Sequence, residues 1–193
     1  MALNNYFRPT GARNEQDLAQ SLVDEHIKMH GIEFVYMPRS FVNTKTVMRE
    51  VSSSKFEKSF PLEGYIENYE GFGDQYNLLT KFGVRSTAEM QITISQERFG
   101  ELITPVLQRE GGLGISVPVR PLEGDLVFFP LVNKLFEIKF VEHEQIFYQT
   151  GRLQSYDLRC ELFKYSSEQI RTGNTEIDST ETAGTLDLSL IHI

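Results

Sequence analysis

Between residues 86 and 165, apolar and polar side chains alternate over runs that antiparallel β-structure satisfies and helices do not. Thr87 to Ser95 is the clearest run: Met90, Ile92 and Ile94 face one way and Glu89, Gln91, Thr93 and Ser95 the other. Asp125 to Leu131 and Leu135 to Val141 flank Val132-Asn133-Lys134, a tight hairpin turn, with Phe136, Ile138 and Phe140 alternating against Glu137 and Lys139. Leu153 to Tyr165 repeats the pattern, Tyr156, Leu158, Cys160 and Leu162 against Asp157, Arg159 and Glu161. Successive strands of this kind predict a small antiparallel barrel or sandwich.

The rest of the chain hangs on that core. A helix is predicted from an Asn14 cap to Gly31, with Leu18, Ala19, Leu22, Val23, His26, Ile27 and His30 on its buried stripe and Gln16, Gln20, Asp24 and Lys28 in water. Ile32 to Met37 reads as a strand with Ile32, Phe34 and Tyr36 on one side, ended by Pro38. Residues 42–60 are polar and serine-rich and read as a long loop. Leu62 to Tyr69 reads as a strand in which Gly64 marks a bulge or a close approach, and Gln75 to Phe82 as one or two helical turns. Ser95 caps a short helix through Ile103, which Pro105 stops. The fold class is therefore α+β, mainly β. Residues 1–165 form one domain led by an arm bearing Leu3, Tyr6 and Phe7, and 166–193 form a polar, acidic C-terminal tail ending in Leu188, Leu190, Ile191 and Ile193.

Chemistry is sparse. His26 and His30 stand one helical turn apart, as in zinc hydrolases, but the intervening Ile27-Lys28-Met29 lacks the glutamate such sites use and puts a lysine beside the ion. Glu142-His143-Glu144 begins the same way, yet the second histidine would fall on Phe147. Gly111-Gly112-Leu113-Gly114 has neither the lysine–serine pair nor the following helix of a phosphate loop. Cys160 falls on the apolar face of a strand and reads as a buried small hydrophobe; one cysteine makes no internal disulfide. No cofactor, metal or catalytic residue is expected. The net charge of −8 opposes tight wrapping of nucleic acid, which needs clustered cations, and suits a wall that DNA slides past. No apolar run is long enough for a membrane span, and Met-Ala-Leu-Asn-Asn-Tyr-Phe lacks the features of a signal peptide, so synthesis in the cytosol is expected.

Residues 120–165 carry a resemblance. They read Arg-Pro-Leu-Glu-Gly-Asp-Leu-Val-Phe-Phe-Pro-Leu, then Lys-Leu-Phe-Glu-Ile-Lys-Phe-Val-Glu-His-Glu, Phe-Tyr-Gln-Thr-Gly and Leu-Arg-Cys-Glu-Leu-Phe-Lys-Tyr-Ser. With the start of the chain, Tyr36-Met37-Pro38-Arg39, Glu70-Gly71-Phe72-Gly73 and Leu79-Thr80-Lys81-Phe82-Gly83, this resembles the neck proteins of large contractile-tailed phages, cyanophage relatives included. The resemblance runs in order to about residue 170. It implies a structural virion protein and not an enzyme. It implies a ring of six between a head-side adaptor and the tail terminator, retaining packaged DNA and docking the tail, with assembly in the host cytoplasm and no membrane partner. DNA would pass without sequence-specific binding. The family brings no catalytic residues. The nearest alternative is a tail terminator or tail-completion ring protein; a metal-dependent hydrolase and a nucleic-acid-binding module are the alternatives of other classes.

Two expectations concern sites. Tyr36, Arg39, Phe147 and Tyr148 are interface candidates, because tyrosine and arginine are enriched at interfaces. The glycine-rich loops at 70–74 and 110–116, with Gly71, Gly73, Gly111, Gly112 and Gly114, are candidates to face the channel.

Overall fold

The computed structural model describes residues 12–45, 50–67, 77–80, 83–86, 89–109, 120–142, 151–164 and 168–179. Its centre is a closed antiparallel barrel of six strands: β1 (Ile32–Met37), β4 (Phe60–Ile66), β7 (Glu89–Ser95), β10 (Ser155–Leu162), β9 (Lys134–Glu142) and β8 (Leu126–Phe129), in that order, with β8 returning to β1. Closure removes the unpaired edges that make open sheets prone to association. The fold is α+β, mainly β, and of the two expected architectures it is the barrel.

Alternation decides the register. Along β7 and β10 the inward pairs are Ile94 with Tyr156, Ile92 with Leu158 and Met90 with Cys160. β1 contributes Phe34 and Tyr36, β4 Leu62, β8 Val127 and Phe129, and β9 Phe136 and Ile138. After β7 the chain turns at Ser95, whose hydroxyl accepts from the Arg98 N–H and caps α2 (Gln96–Leu102). Phe99 from α2, with Ile103 and Leu107, joins the same core. α2 ends at its C-cap Ile103, as expected, and Pro105 lies in the first turn of a separate helix, α3 (Thr104–Arg109), where a missing N–H forfeits no helical bond.

Gly64 is a close approach. It lies opposite Ile32 on one side and Ile94 on the other. A Cβ there would run into the Phe34 ring and stand 2.8 Å from Ile92 Cγ2. Gly64→Ala is therefore expected to lower stability by about 1–3 kcal/mol through overpacking. A urea midpoint unchanged from the parent would show that the ring gives way freely.

A second core lies outside the barrel. Every residue of β8, Leu-Val-Phe-Phe, is buried. Val127 and Phe129 point inward, while Leu126 and Phe128 point outward to meet Met37, Leu135, Phe56, Ile170 and Ile177. The cover is a small sheet, β11–β3–β2, made of β2 (Ser40–Lys45), β3 (Glu50–Phe56) and β11 (Gln169–Ile170). Strands buried on both faces read as continuous apolar runs.

Several expectations fall here. The segment 42–60, read as a loop, contains the β2–β3 hairpin and the start of β4. Within 75–82, read as helical, the chain forms β5 (Asn77–Thr80), paired antiparallel with β6 (Gly83–Ser86). Part of the polar segment after Ser166, read as a tail, supplies β11 and the buried Ile170 and Ile177.

Helix α1 (Arg13–His30) begins after Ala12, not at an Asn14 cap, and Ala12 makes no side-chain cap bond. Its buried side is rotated from the predicted stripe: Ile27 is buried as expected, but Gln20, expected in water, is buried with it, whereas Leu18 and Leu22 are 61% and 57% exposed. The reason is polar. The Gln20 amide donates to Asp24 Oδ1 (2.9 Å), Ser95 Oγ (3.2 Å) and the Gln154 carbonyl (3.1 Å), fastening the helix to the barrel. Phe140 also departs from its expected phase. Arg159 pairs with Phe140 but Cys160 with Ile138, so Lys139 is skipped in a β-bulge. The bulge turns Val141 inward and leaves Phe140 49% exposed.

Candidate functional site

Where β1, the turn before β8 and the C-terminal segment meet, a buried carboxylate organises the backbone. Asp125 is 3% exposed. Its carboxylate accepts the Tyr36 hydroxyl in a short hydrogen bond, the Arg39 N–H at 2.8 Å and the Leu122 N–H at 3.1 Å. Its own backbone is fixed as well, since the Ile138 N–H donates to the Asp125 carbonyl at 2.9 Å. Burial raises the Asp125 carboxyl from 3.8 to about 6, against the pull of these donors and of Arg39. Burial, then the neighbouring Asp125 charge, holds the Tyr36 phenol well above its ordinary value.

Arg39 leads outward from this cluster. Its guanidinium lies over Gly124, a positive-φ glycine (φ 95°), and pairs with Glu168 at 3.6 Å just before β11. The cluster thus joins the first strand of the barrel to its C-terminal cover.

Of the predicted interface residues, Tyr36 is wholly inside the chain and its ring offers no surface to a partner. Arg39 is partly exposed, 30% by side chain. Phe147 and Tyr148, and the predicted channel residues Gly71, Gly73, Gly111, Gly112 and Gly114, lie outside the described residues. Asp125 went unremarked in the sequence, where it reads as the first residue of a strand. The one local signal is Glu123-Gly124-Asp125 directly before an unbroken apolar run, a turn that must bury its polar side chain.

The outer wall of β7, β10 and β9 presents charge. Glu89, Asp157, Glu161, Glu137 and Glu142 point away from the core, with Lys139 and Arg159 among them. Thr93 Oγ1 lies 2.8 Å from Glu67 Oε1 and 2.9 Å from Asp157 Oδ1. Burial raises the Asp157 carboxyl, and the charges of Glu67 and Glu142 add to the rise. Arg159 stacks over the exposed Phe140 ring at 5.6 Å and reaches Glu142 at 3.9 Å. Such a wall repels phosphate more than it binds it.

Among the described residues no three His, Cys, Asp or Glu side chains converge as metal ligands. The His26 and His30 rings lie tilted against one another, centroids 5.0 Å apart, and His26 lies beside Tyr65. Burial pushes the Cys160 thiol up to about 12, so it stays protonated at neutral pH. Among the described residues no helix is long and apolar enough to cross a membrane.

The family model described as virus neck protein matches residues 1–191, nearly the whole chain. The chain belongs to the virus neck protein family, structural proteins of the phage virion.

Proposed function

We propose that this chain is the repeating subunit of a ring at the phage neck, seated between a head-side adaptor and the tail terminator, where it retains packaged DNA and docks the tail. The observation that carries the reading is the family match across residues 1–191. The geometry is compatible with it in two respects. A closed six-strand barrel is a rigid unit for a ring, and its acidic β7–β10–β9 wall suits a passage through which DNA moves without adhering. Neighbours around a ring meet through two different surfaces, so the subunit needs unlike faces. Arg39, Phe147 and Tyr148 belong to those faces in this reading, and the loops at 70–74 and 110–116 face the channel. Six copies make the ring, and assembly takes place in the host cytoplasm.

The test is electron microscopy of particles made without this protein. Separate heads, leaking or full, beside complete unattached tails are the expected result. Full heads carrying overlong or frayed tails would assign the chain to the tail terminator instead, and normal virions would overturn the neck role.

A further inference from the structure

The β-bulge in β9 sets an aromatic ring on a wall that is otherwise charged. Arg159 pairs with Phe140 and Cys160 with Ile138, so Phe140 is turned out of the barrel and left 49% exposed. Re-aiming a side chain is a common use of a bulge. Beside the ring lies a cavity of about 200 Å³, lined by Phe140, Arg159, Glu89, Glu161 and the core residues Met90 and Cys160 among others. The charges around it are ordered. Along β10 the outward residues are Asp157, Arg159 and Glu161. Asp157 is level with Glu142, and Arg159 with Phe140. Glu161 is level with Glu137 on one side and Glu89 on the other, a row of like charges that repel across the strands. Phe140 therefore stands midway between two groups of carboxylates. The two cations of the wall are already engaged. Lys139 pairs with Glu137 at 2.6 Å, and Arg159 lies over the Phe140 ring and reaches Glu142 at 3.9 Å.

We propose that this notch docks an extended, basic segment of another protein, in which one apolar side chain meets Phe140 and a cation two residues away on each side meets a carboxylate group. The spacing sets the pattern. From Asp157 to Arg159, and again from Arg159 to Glu161, is two residues, about 7 Å of strand. An extended segment reading cation, any residue, apolar residue, any residue, cation repeats that interval. The apolar side chain covers the exposed ring and displaces water from the cavity beside it. The cations offset the row of Glu161, Glu137 and Glu89 at one end and the Asp157–Glu142 pair at the other. Charge also selects the source. A second copy of the chain carries the same net charge of −8 and the same acidic wall, so it is repelled, as is a nucleic acid. An aromatic ring beside an arginine, within a polar rim, is the usual make-up of the few residues that dominate binding at protein interfaces. The site lies within one chain, and so does not depend on the ring.

Fluorescence anisotropy tests this with the full-length protein and a labelled peptide whose core reads arginine, serine, leucine, serine, arginine. The peptide is expected to bind. Serine in place of its leucine, or glutamate in place of its arginines, should weaken binding about tenfold. In the protein, Phe140→Ala should weaken it about tenfold and Glu161→Lys about fivefold. Glu25→Lys on α1 changes the net charge by the same amount and should leave affinity within about twofold. Phe140→Trp is the second probe of the same position. The chain has no tryptophan of its own, so this variant reports contact directly, and its emission should shift to the blue when the peptide is added. Absence of binding, or an emission unmoved by bound peptide, would overturn the proposal. Equal weakening by Glu25→Lys and Glu161→Lys would reduce it to bulk charge and overturn it as well. Sedimentation of the protein alone covers the remaining occupant: dimers that vanish in Phe140→Ala would give the notch to a second copy, against the proposal.

Discussion

A chain ended at Lys164 is expected to be roughly 3–6 kcal/mol less stable than one ended at Ser179, from the burial of Ile170 and Ile177 alone. For a domain whose whole stability is about 5–15 kcal/mol, that loss is severe. Both isoleucines pack on Phe56, Leu126, Phe128 and Leu135, the outward side of the barrel. Their placement is held by polar contacts. β11 pairs in parallel with β3 through Gln169 with Lys55 and Ile170 with Phe56, and the Arg171 N–H donates to the Phe56 carbonyl at 2.9 Å. The Asp178 carboxylate then accepts the Thr172 N–H and hydroxyl, each at 3.0 Å, closing the turn that carries Ile177 inward. Ile177→Ala in the full chain should by itself remove about 2–5 kcal/mol. Urea unfolding of the two truncated chains measures the difference. Equal midpoints would mean that the second core contributes nothing, and that the barrel stands without its cover.

The same segment shows why sequence reading goes only part of the way. β7 and β10 are legible because each has one face in a core and one in water, which forces the alternation seen at Met90, Ile92 and Ile94 and at Tyr156, Leu158 and Cys160, whereas β1 turns Phe34 and Tyr36 into the barrel and Met37 toward the second core. β3 is not legible, since Glu50-Val51-Ser52-Ser53-Ser54-Lys55-Phe56 carries only two large apolar side chains and is held by backbone pairing on both sides. β11 is two residues long and defined by its partner. The orientation of α1 could not be read from apolar periodicity because its anchor is the amide of Gln20. The bulge at Lys139 and Phe140 depends on the pairing with β10, which lies beyond any local pattern. The Asp125 cluster joins residues 86 and 89 positions apart, so only barrel closure brings it together.

That cluster gives the chain a distinctive response to pH. The carboxyl of Asp125 titrates near 6 in the fold against 3.8 in the open chain. Below the lower value both states are protonated. Between the two, the folded state keeps a proton that the unfolded state has released, so rising pH favours unfolding. Above the higher value both are ionised and the loss is complete. Over this window of about two pH units the group withdraws about 3 kcal/mol of stability. Other carboxylates change the parent's stability over the same range, so the informative quantity is the difference from Asp125→Asn, which cannot ionise. The parent-minus-variant stability is expected to fall by about 3 kcal/mol between pH 4 and 6 and then level off. Tyr36→Phe removes the short hydroxyl bond and should push the carboxyl higher, moving the end of the fall to higher pH. A difference that stays flat from pH 4 to 7 would mean that Asp125 is as well solvated in the fold as in the open chain, and that the cluster acts as a hydrogen-bonded clasp for β1 and the β8 turn with no proton linkage.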